Sequence, residues 1–247
     1  MTRTLPDGRT TIVFLHGTRL TGGQWAAQVA DLAKEFICLA PDLPGHGQAS
    51  HVPFTLAGAA EAVVGEIDNG ATGPVILVGL SLGGYVAMEV AARWPDRVAG
   101  LVLAGATAEP IGPRALAYVG LARIFETVDP AWLQRVNVWF FRTRYPPAIA
   151  EPIIAGGFHF AGGAVAVRSL VGQRFRPRLV RFSGRTLIVN GEFDLLFRLS
   201  QRSFVDAAHD ARAVVLRRAV HLSNLDRPDA FSAAVRRFAR SVVAPTT

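Results

Sequence analysis

The 247-residue sequence predicts an α/β protein whose mostly parallel sheet is covered by helices on both faces. Two observations carry that expectation. Short apolar runs rich in β-branched residues alternate with longer stretches of helical periodicity, the pattern of strands joined by crossover helices. The alternation is interrupted once, between residues 108 and 183, where strand signals vanish and prolines stand at 110, 113, 130, 146, 147, 152 and 177. The expected organisation is a core of residues 1–107 and 184–247 with a helical insertion over 108–183, lying across one end of the sheet.

In chain order, 11–15 is a buried strand ending in His16-Gly17, and the ten residues ahead of it leave room for one edge strand at most. A loop leads to a helix over about 24–34, and 36–40 is the next strand. Leu43 to Gly47 is a loop with two glycines and a proline. A helix over 55–68 has Thr55 as its N-cap. Val75 to Val78 is a strand flanked by Pro74 and Gly79. It is followed by a helix whose face is Leu82, Val86, Val90 and Trp94, stopped by Pro95. Residues 98–103 form another strand. After the insertion come a strand over 186–189, a helix over 198–208, a strand over 213–216 and a last helix over 228–242. In a parallel sheet the loops at the carboxyl ends of the strands form the site. His16, Ser81, Asp194 and His221 all fall there.

Composition narrows the function classes. With 50% hydrophobic residues the chain can build a sizeable core. No stretch approaches the roughly 18 consecutive apolar residues of a membrane span. The polar first ten residues lack a hydrophobic signal region, and the lone Cys38 permits no internal disulfide. These features predict a cytoplasmic location, no membrane insertion and a buried, structural Cys38. The net charge of +7 is arginine-borne, since Lys34 is the only lysine. The arginines are scattered, without a basic helix or an aromatic-interleaved patch, so no nucleic-acid partner is predicted.

The central motif is Gly79-Leu80-Ser81-Leu82-Gly83, a G-x-S-x-G between a buried strand and a helix. Such a turn holds its serine in a strained conformation above the sheet, and its flanking positions must be small because strand and helix backbones pass closely. The helix N-terminus behind it favours an oxyanion. Serine at its ordinary pKa needs a base, for which His221 is the candidate. Asp194 can orient that histidine.

The order Ser81, Asp194, His221 resembles that of α/β-hydrolase fold proteins over nearly the whole chain, of the capped serine esterase and lactonase type. His16-Gly17 resembles the family's oxyanion loop, which implies that the backbone N–H groups of Thr18 and Leu82 form the oxyanion hole. Asp42-Leu43-Pro44-Gly45-His46-Gly47 resembles its structural D-x-x-G-x-G loop, and Gly191 to Asp194 its acid loop. The tail from His221 to Phe231 is most similar to that of 3-oxoadipate enol-lactonases. Those proteins usually carry a Ser-Leu-Gly type loop where this chain has His16-Gly17-Thr18. A serine nucleophile sets the chain apart from the haloalkane dehalogenase and epoxide hydrolase branches.

The resemblance implies a serine hydrolase acting on an apolar or aromatic carboxylic ester, lactone or thioester, working as a monomer or homodimer. Glu109, after the preceding strand, is an alternative acid to Asp194. Candidate substrate contacts are Arg19, Tyr85, Trp132, Trp139 and His159, with Arg19, Arg142 or Arg144 available for an anionic group. No Cys/His/Asp cluster has metal-ligand spacing and no phosphate cradle appears, so no cofactor is predicted. C–C bond hydrolysis, perhydrolysis or a lyase reaction on the same triad, and a non-catalytic ligand-binding protein on this fold, are the alternatives.

Overall fold

A computed structural model of the chain describes residues 8–243. Among them, six strands form one parallel sheet in the order β2-β1-β3-β4-β5-β6. The strands are β1 (Thr11–Leu15), β2 (Ile37–Leu39), β3 (Val75–Leu80), β4 (Gly100–Ala104), β5 (Arg185–Gly191) and β6 (Asp210–Leu216). The inner strands are buried almost throughout, as apolar runs with both faces covered require. Strands β2 and β6 form the edges and are largely only half-buried. This corrects the expectation of a buried Cys38: it lies in edge strand β2, partly exposed, while burial still pushes its thiol up to about 11. An edge strand ahead of β1 lies outside the described residues, apart from residues 8–10, which are in no strand.

The helices are α1 (Ala26–Leu32), α2 (Leu56–Gly70), α3 (Leu82–Arg93), α4 (Ala115–Thr127), α5 (Pro130–Arg144), α6 (Pro147–Ala155), α7 (Phe160–Leu170), α8 (Arg176–Val180), α9 (Leu195–Arg198), α10 (Gln201–Val205), α11 (Ser223–Asp226) and α12 (Pro228–Val243). Helices α2 and α3 pack on one face of the sheet through Val63, Ile67, Val86 and Val90. Helices α1 and α12 cover the other through Leu32, Phe231 and Val235. There Trp25 bridges strand and helix, its ring 5.0 Å from Phe14 and 5.7 Å from Phe231. No single helix among the described residues is long and apolar enough to cross a membrane.

Local chemistry explains most boundaries. Thr55 caps α2, its side chain accepting from the Gly58 N–H at 2.9 Å. The helix predicted over 24–34 starts as a 3-10 turn at Gly22–Trp25 and is α-helical only over Ala26–Leu32. The helix predicted over 198–208 is instead the two short helices α9 and α10, separated at Leu199 and Ser200. Between β4 and β5 stand α4 to α8, with no strand among them. Pro130 and Pro147 occupy first-turn positions, where a missing N–H costs nothing, and so they start helices rather than break them. The inner faces of α4 to α7 and Phe158, just before α7, build a second apolar cluster around Phe125, Leu133, Phe141, Ile153 and Phe160, joined by Leu20 and Leu225.

The register levels the carboxyl ends of the strands. Leu15 pairs with Gly79, Leu80 with Ala104, Ala104 with Val189, and Gly191 with Leu216. The loops that begin at His16, Ser81, Gly105, Glu192 and Arg217 therefore open on one edge of the sheet.

Candidate active site

Ser81 joins β3 to α3 with φ 53° and ψ −115°, a left-handed conformation rare for a residue with a side chain. Its N–H is tied to the Ala104 carbonyl of the neighbouring strand at 2.8 Å. The turn is possible because its flanks are glycines: a Cβ on Gly79 would overlap the Gly83 carbonyl, and one on Gly83 would overlap the Leu15 carbonyl. Leu82 opens α3, and its N–H donates to no acceptor among the described residues, as expected for a first helical residue.

Asp194 and His221 come from the loops after β5 and β6 and meet through His221 Nδ1 and Asp194 Oδ2 at 2.9 Å. The carboxylate can only accept, so Nδ1 carries the proton and Nε2 is left as the basic nitrogen. Asp194 is 7% exposed and the His221 side chain 37%. Phe197 stacks on the imidazole at 5.0 Å and 17°. Glu109, the alternative acid, is committed elsewhere. It accepts from the Phe175 and Arg176 N–H groups and from the Arg176 guanidinium at 2.8 Å. Burial opposes its charge, yet these donors hold its carboxyl below the usual range.

Two residues that the sequence did not single out make the acid–base pair possible. Gly105 has φ 52°, and a Cβ there would stand 2.8 Å from both Cε1 and Nδ1 of His221. Asn190, fully buried, accepts the Gly105 N–H at 3.1 Å and donates to Thr107 and Gln201, fixing the turn beneath the imidazole. Thr107 in turn donates to the Phe197 carbonyl at 2.7 Å. A glycine directly after a buried strand was the available signal.

The loop after β1 is held by buried polar side chains. Gly17 N–H donates to Gln24 Oε1 at 2.8 Å. Gln24 and Gln28 each hydrogen-bond to Asn224, all three at most 1% exposed, and so tie this loop to α11, just beyond His221. His16 accepts from the Leu43 N–H at 2.9 Å and His46 from the Arg19 N–H at 3.2 Å. Each ring also contacts a backbone carbonyl through Nδ1, so both are neutral with the proton on Nδ1. Burial pushes His16 down to about 3 and His46 down to about 4. The N–H of Thr18 donates to no acceptor among the described residues, while its hydroxyl donates to the Gly163 carbonyl at 3.2 Å.

Thr18, Ser81, Leu82, Asp194 and His221 line one cavity of about 250 Å³, whose other walls are mostly apolar and come from Tyr85, Tyr118, Leu121, Val167, Leu170, Leu196 and Phe197. Tyr85 donates to the Ala108 carbonyl at 2.6 Å and therefore accepts from Tyr118 at 2.5 Å. Burial keeps both phenols protonated, pushing Tyr118 up to about 12 and Tyr85 well above the usual phenol range. Of the other candidate substrate contacts, Trp132 and Trp139 lie on the outer face of α5, 50% and 65% exposed, because Leu133 and Phe141 take its inner face. Neither lines the cavity, and neither do His159, which bonds to the Gly156 carbonyl, and Arg19, whose Nε donates to Asn137 Oδ1 on α5 at 3.0 Å. Arg142 pairs with Glu151 and Arg144 with Asp226. Among the described residues no group of three or more His, Cys, Asp or Glu could hold a metal ion.

A sequence model of the alpha/beta hydrolase family matches residues 12–234. The lipase LipV of Mycobacterium tuberculosis is 40% identical over 99 residues, covering 40% of this chain and 38% of the lipase. A pimeloyl-[acyl-carrier protein] methyl ester esterase of Neisseria meningitidis serogroup B is 34% identical over 127 residues, 49% of this chain and 48% of the esterase. The chain thus spans less than half the length of each of these two relatives. The crystal structure of the enol-lactonase from Burkholderia xenovorans LB400 is similar over 94% of this chain and 92% of its own, with a TM-score of 0.79 and 26% identity.

Proposed function

The chain belongs to the α/β hydrolase family, and from that premise we propose that it is a serine hydrolase cleaving a carboxylic ester, lactone or thioester through an acyl-enzyme on Ser81. The observation that carries this reading is the Asp194–His221 pair at 2.9 Å, opening on the same apolar cavity as the strained Ser81. Ser81 Oγ attacks the substrate carbonyl carbon while His221 Nε2 takes its proton. Asp194 holds the Nδ1–H tautomer and stabilises the imidazolium that forms. The unpartnered N–H groups of Thr18 and Leu82 receive the oxyanion, a donor of this kind being worth about 10²–10³ in rate. The tetrahedral intermediate collapses, and His221 returns the proton to the leaving oxygen or sulfur. It then activates the water that releases the acyl group. Residues 108–183 act as the cap: α4 and α7 supply Tyr118, Leu121, Val167 and Leu170, which set the acyl pocket.

The test is a series of p-nitrophenyl esters from acetate to laurate, run on wild type and Ser81→Ala with a fluorophosphonate label in parallel. Turnover and labelling should both vanish in the variant, and the best acyl length should match the small cavity. A wild-type protein that is not labelled would sink the serine mechanism.

A further inference from the structure

Apart from Thr18, Ser81, Asp194 and His221, the polar side chains that line the cavity are two phenols, Tyr85 and Tyr118. Tyr85 stands four residues after Ser81 on α3 and is 1% exposed, its ring 4.4 Å from that of Phe175. Tyr118 meets it from α4 of the cap and is itself buried. Their hydroxyls form a chain whose direction is fixed at one end. The Ala108 carbonyl can only accept, so the Tyr85 proton goes there at 2.6 Å, and the Tyr118 proton goes to Tyr85 at 2.5 Å. Neither phenol has a proton left to donate. What remains is lone-pair capacity on the Tyr118 oxygen, which accepts from no donor among the described residues.

The charges around the cavity narrow the choice of ligand group. No lysine or arginine lines it, and Asp194 contributes a carboxylate. An anionic acyl group would lose its hydration there, gain no counter-ion and be repelled by that carboxylate. A neutral group that only accepts, such as an ether or ketone oxygen, would face the Tyr118 lone pairs. A hydroxyl or an amide N–H is the polar group that fits. Nor does Tyr85 need Tyr118 as a partner, since its proton is already placed on Ala108. A phenylalanine at 118 would complete the same wall with Leu121, Val167 and Leu170 without desolvating an oxygen.

We propose that Tyr118 sets acyl specificity by accepting a hydrogen bond from the substrate, so that the preferred acyl group carries an uncharged hydroxyl or amide N–H remote from the reacting carbonyl. The proposal rests on the serine hydrolase reading for the reacting end, but the Tyr118 contact can be tested without turnover. Isothermal titration of Ser81→Ala uses methyl esters of ω-hydroxy acids over a range of chain lengths. Matched esters carrying methyl or methoxy in place of the hydroxyl compare a donor with an inert and an acceptor-only end. At the best length, adding Tyr118→Phe should lower the hydroxyl-to-methyl affinity ratio about tenfold. Adding Tyr85→Phe instead frees the Tyr118 proton for the cavity, so the methoxy ester should gain about 3- to 10-fold while the hydroxy ester keeps its affinity. A hydroxyl-to-methyl ratio that Tyr118→Phe leaves unchanged would overturn the proposal. So would a methoxy ester that binds Ser81→Ala as tightly as the hydroxy ester does. Should Tyr118→Phe not fold, Tyr118→Met removes the same oxygen and carries the same test. A wild-type protein that is not labelled by fluorophosphonate would refute the serine mechanism while leaving this binding result to stand by itself.

Discussion

Ser81 and Gly105 both adopt left-handed backbone at the ends of adjacent strands, and their reasons differ. Ser81 carries a side chain there because the turn must lift a hydroxyl above the sheet, and its N–H bond to Ala104 opposes relaxation. Gly105 carries none because the Asp194–His221 pair fills the space: a Cβ would stand 2.8 Å from the imidazole and 3.1 Å from Asp194 Oδ2. Gly105→Ala should therefore displace His221 while leaving the acyl pocket in place. With a displacement approaching 1 Å, kcat should fall about 10²-fold while KM moves little. Steady-state kinetics on the best p-nitrophenyl ester check this, and a kcat close to wild type would mean that His221 does not need its observed position. Ser81 was legible in its motif and Asp194 and His221 in their positions after strands. Gly105 was not, because its role depends on a histidine more than a hundred positions away.

At the scale of elements, the loop after β1 and the short helix α11 are joined by Gln24, Gln28 and Asn224. These side chains position the Gly17–Thr18 peptides relative to His221 and do not themselves touch a substrate. Gln24→Met keeps the volume but leaves the Gly17 N–H and the Asn224 Oδ1 without their partner, which should cost about 1–3 kcal/mol of stability. The telling readout is kinetic: on the mechanism proposed, kcat should drop about tenfold with little change in KM, because the Thr18 N–H would lose its aim at the oxyanion. Gln24→Glu, which can still accept from Gly17, should recover more of kcat than of stability. If the two variants lose kcat in proportion to stability alone, the network is structural only. The strands were readable as apolar runs, and Thr55 and Pro95 mark helix ends by their own chemistry. The network was not, since its members lie 196 and 200 residues apart and only folding brings them together. Trp132 and Trp139 show the converse. Their aromatic character suggested a pocket, but the 3.6-residue period of α5 turns them outward once Leu133 and Phe141 take the core.

For the whole molecule, one sheet edge gathers loops that are individually unstable, and buried neutral histidines are part of what fastens them. His16 and His46 link the loop after β1 to the loop after β2, their rings 5.0 Å apart, each accepting one backbone N–H. Protonating either ring would abolish that acceptor and place a charge beside the other. The folded pKa values, about 3 and about 4, lie below the unfolded value of 6.5. Between those limits the unfolded chain binds more protons than the native one, so stability is complete above pH ~6.5 and falls as pH drops towards 4. Glu35, Glu109 and Glu126, whose carboxyls are held below the usual range, add to acid sensitivity at the lower end of that window. Each pKa unit is worth about 1.4 kcal/mol, so the two histidines together weigh several kcal/mol near pH 4. Urea midpoints measured from pH 7.5 to 4 should fall steeply through this range. In His46→Gln, whose side-chain amide can accept from Arg19 but does not titrate, the fall between pH 6.5 and 4.5 should be shallower by about one proton's worth of slope. A slope identical to wild type would show that His46 gains its proton as readily in the folded protein as in the unfolded chain, and that these two loops are fastened by something other than a neutral imidazole.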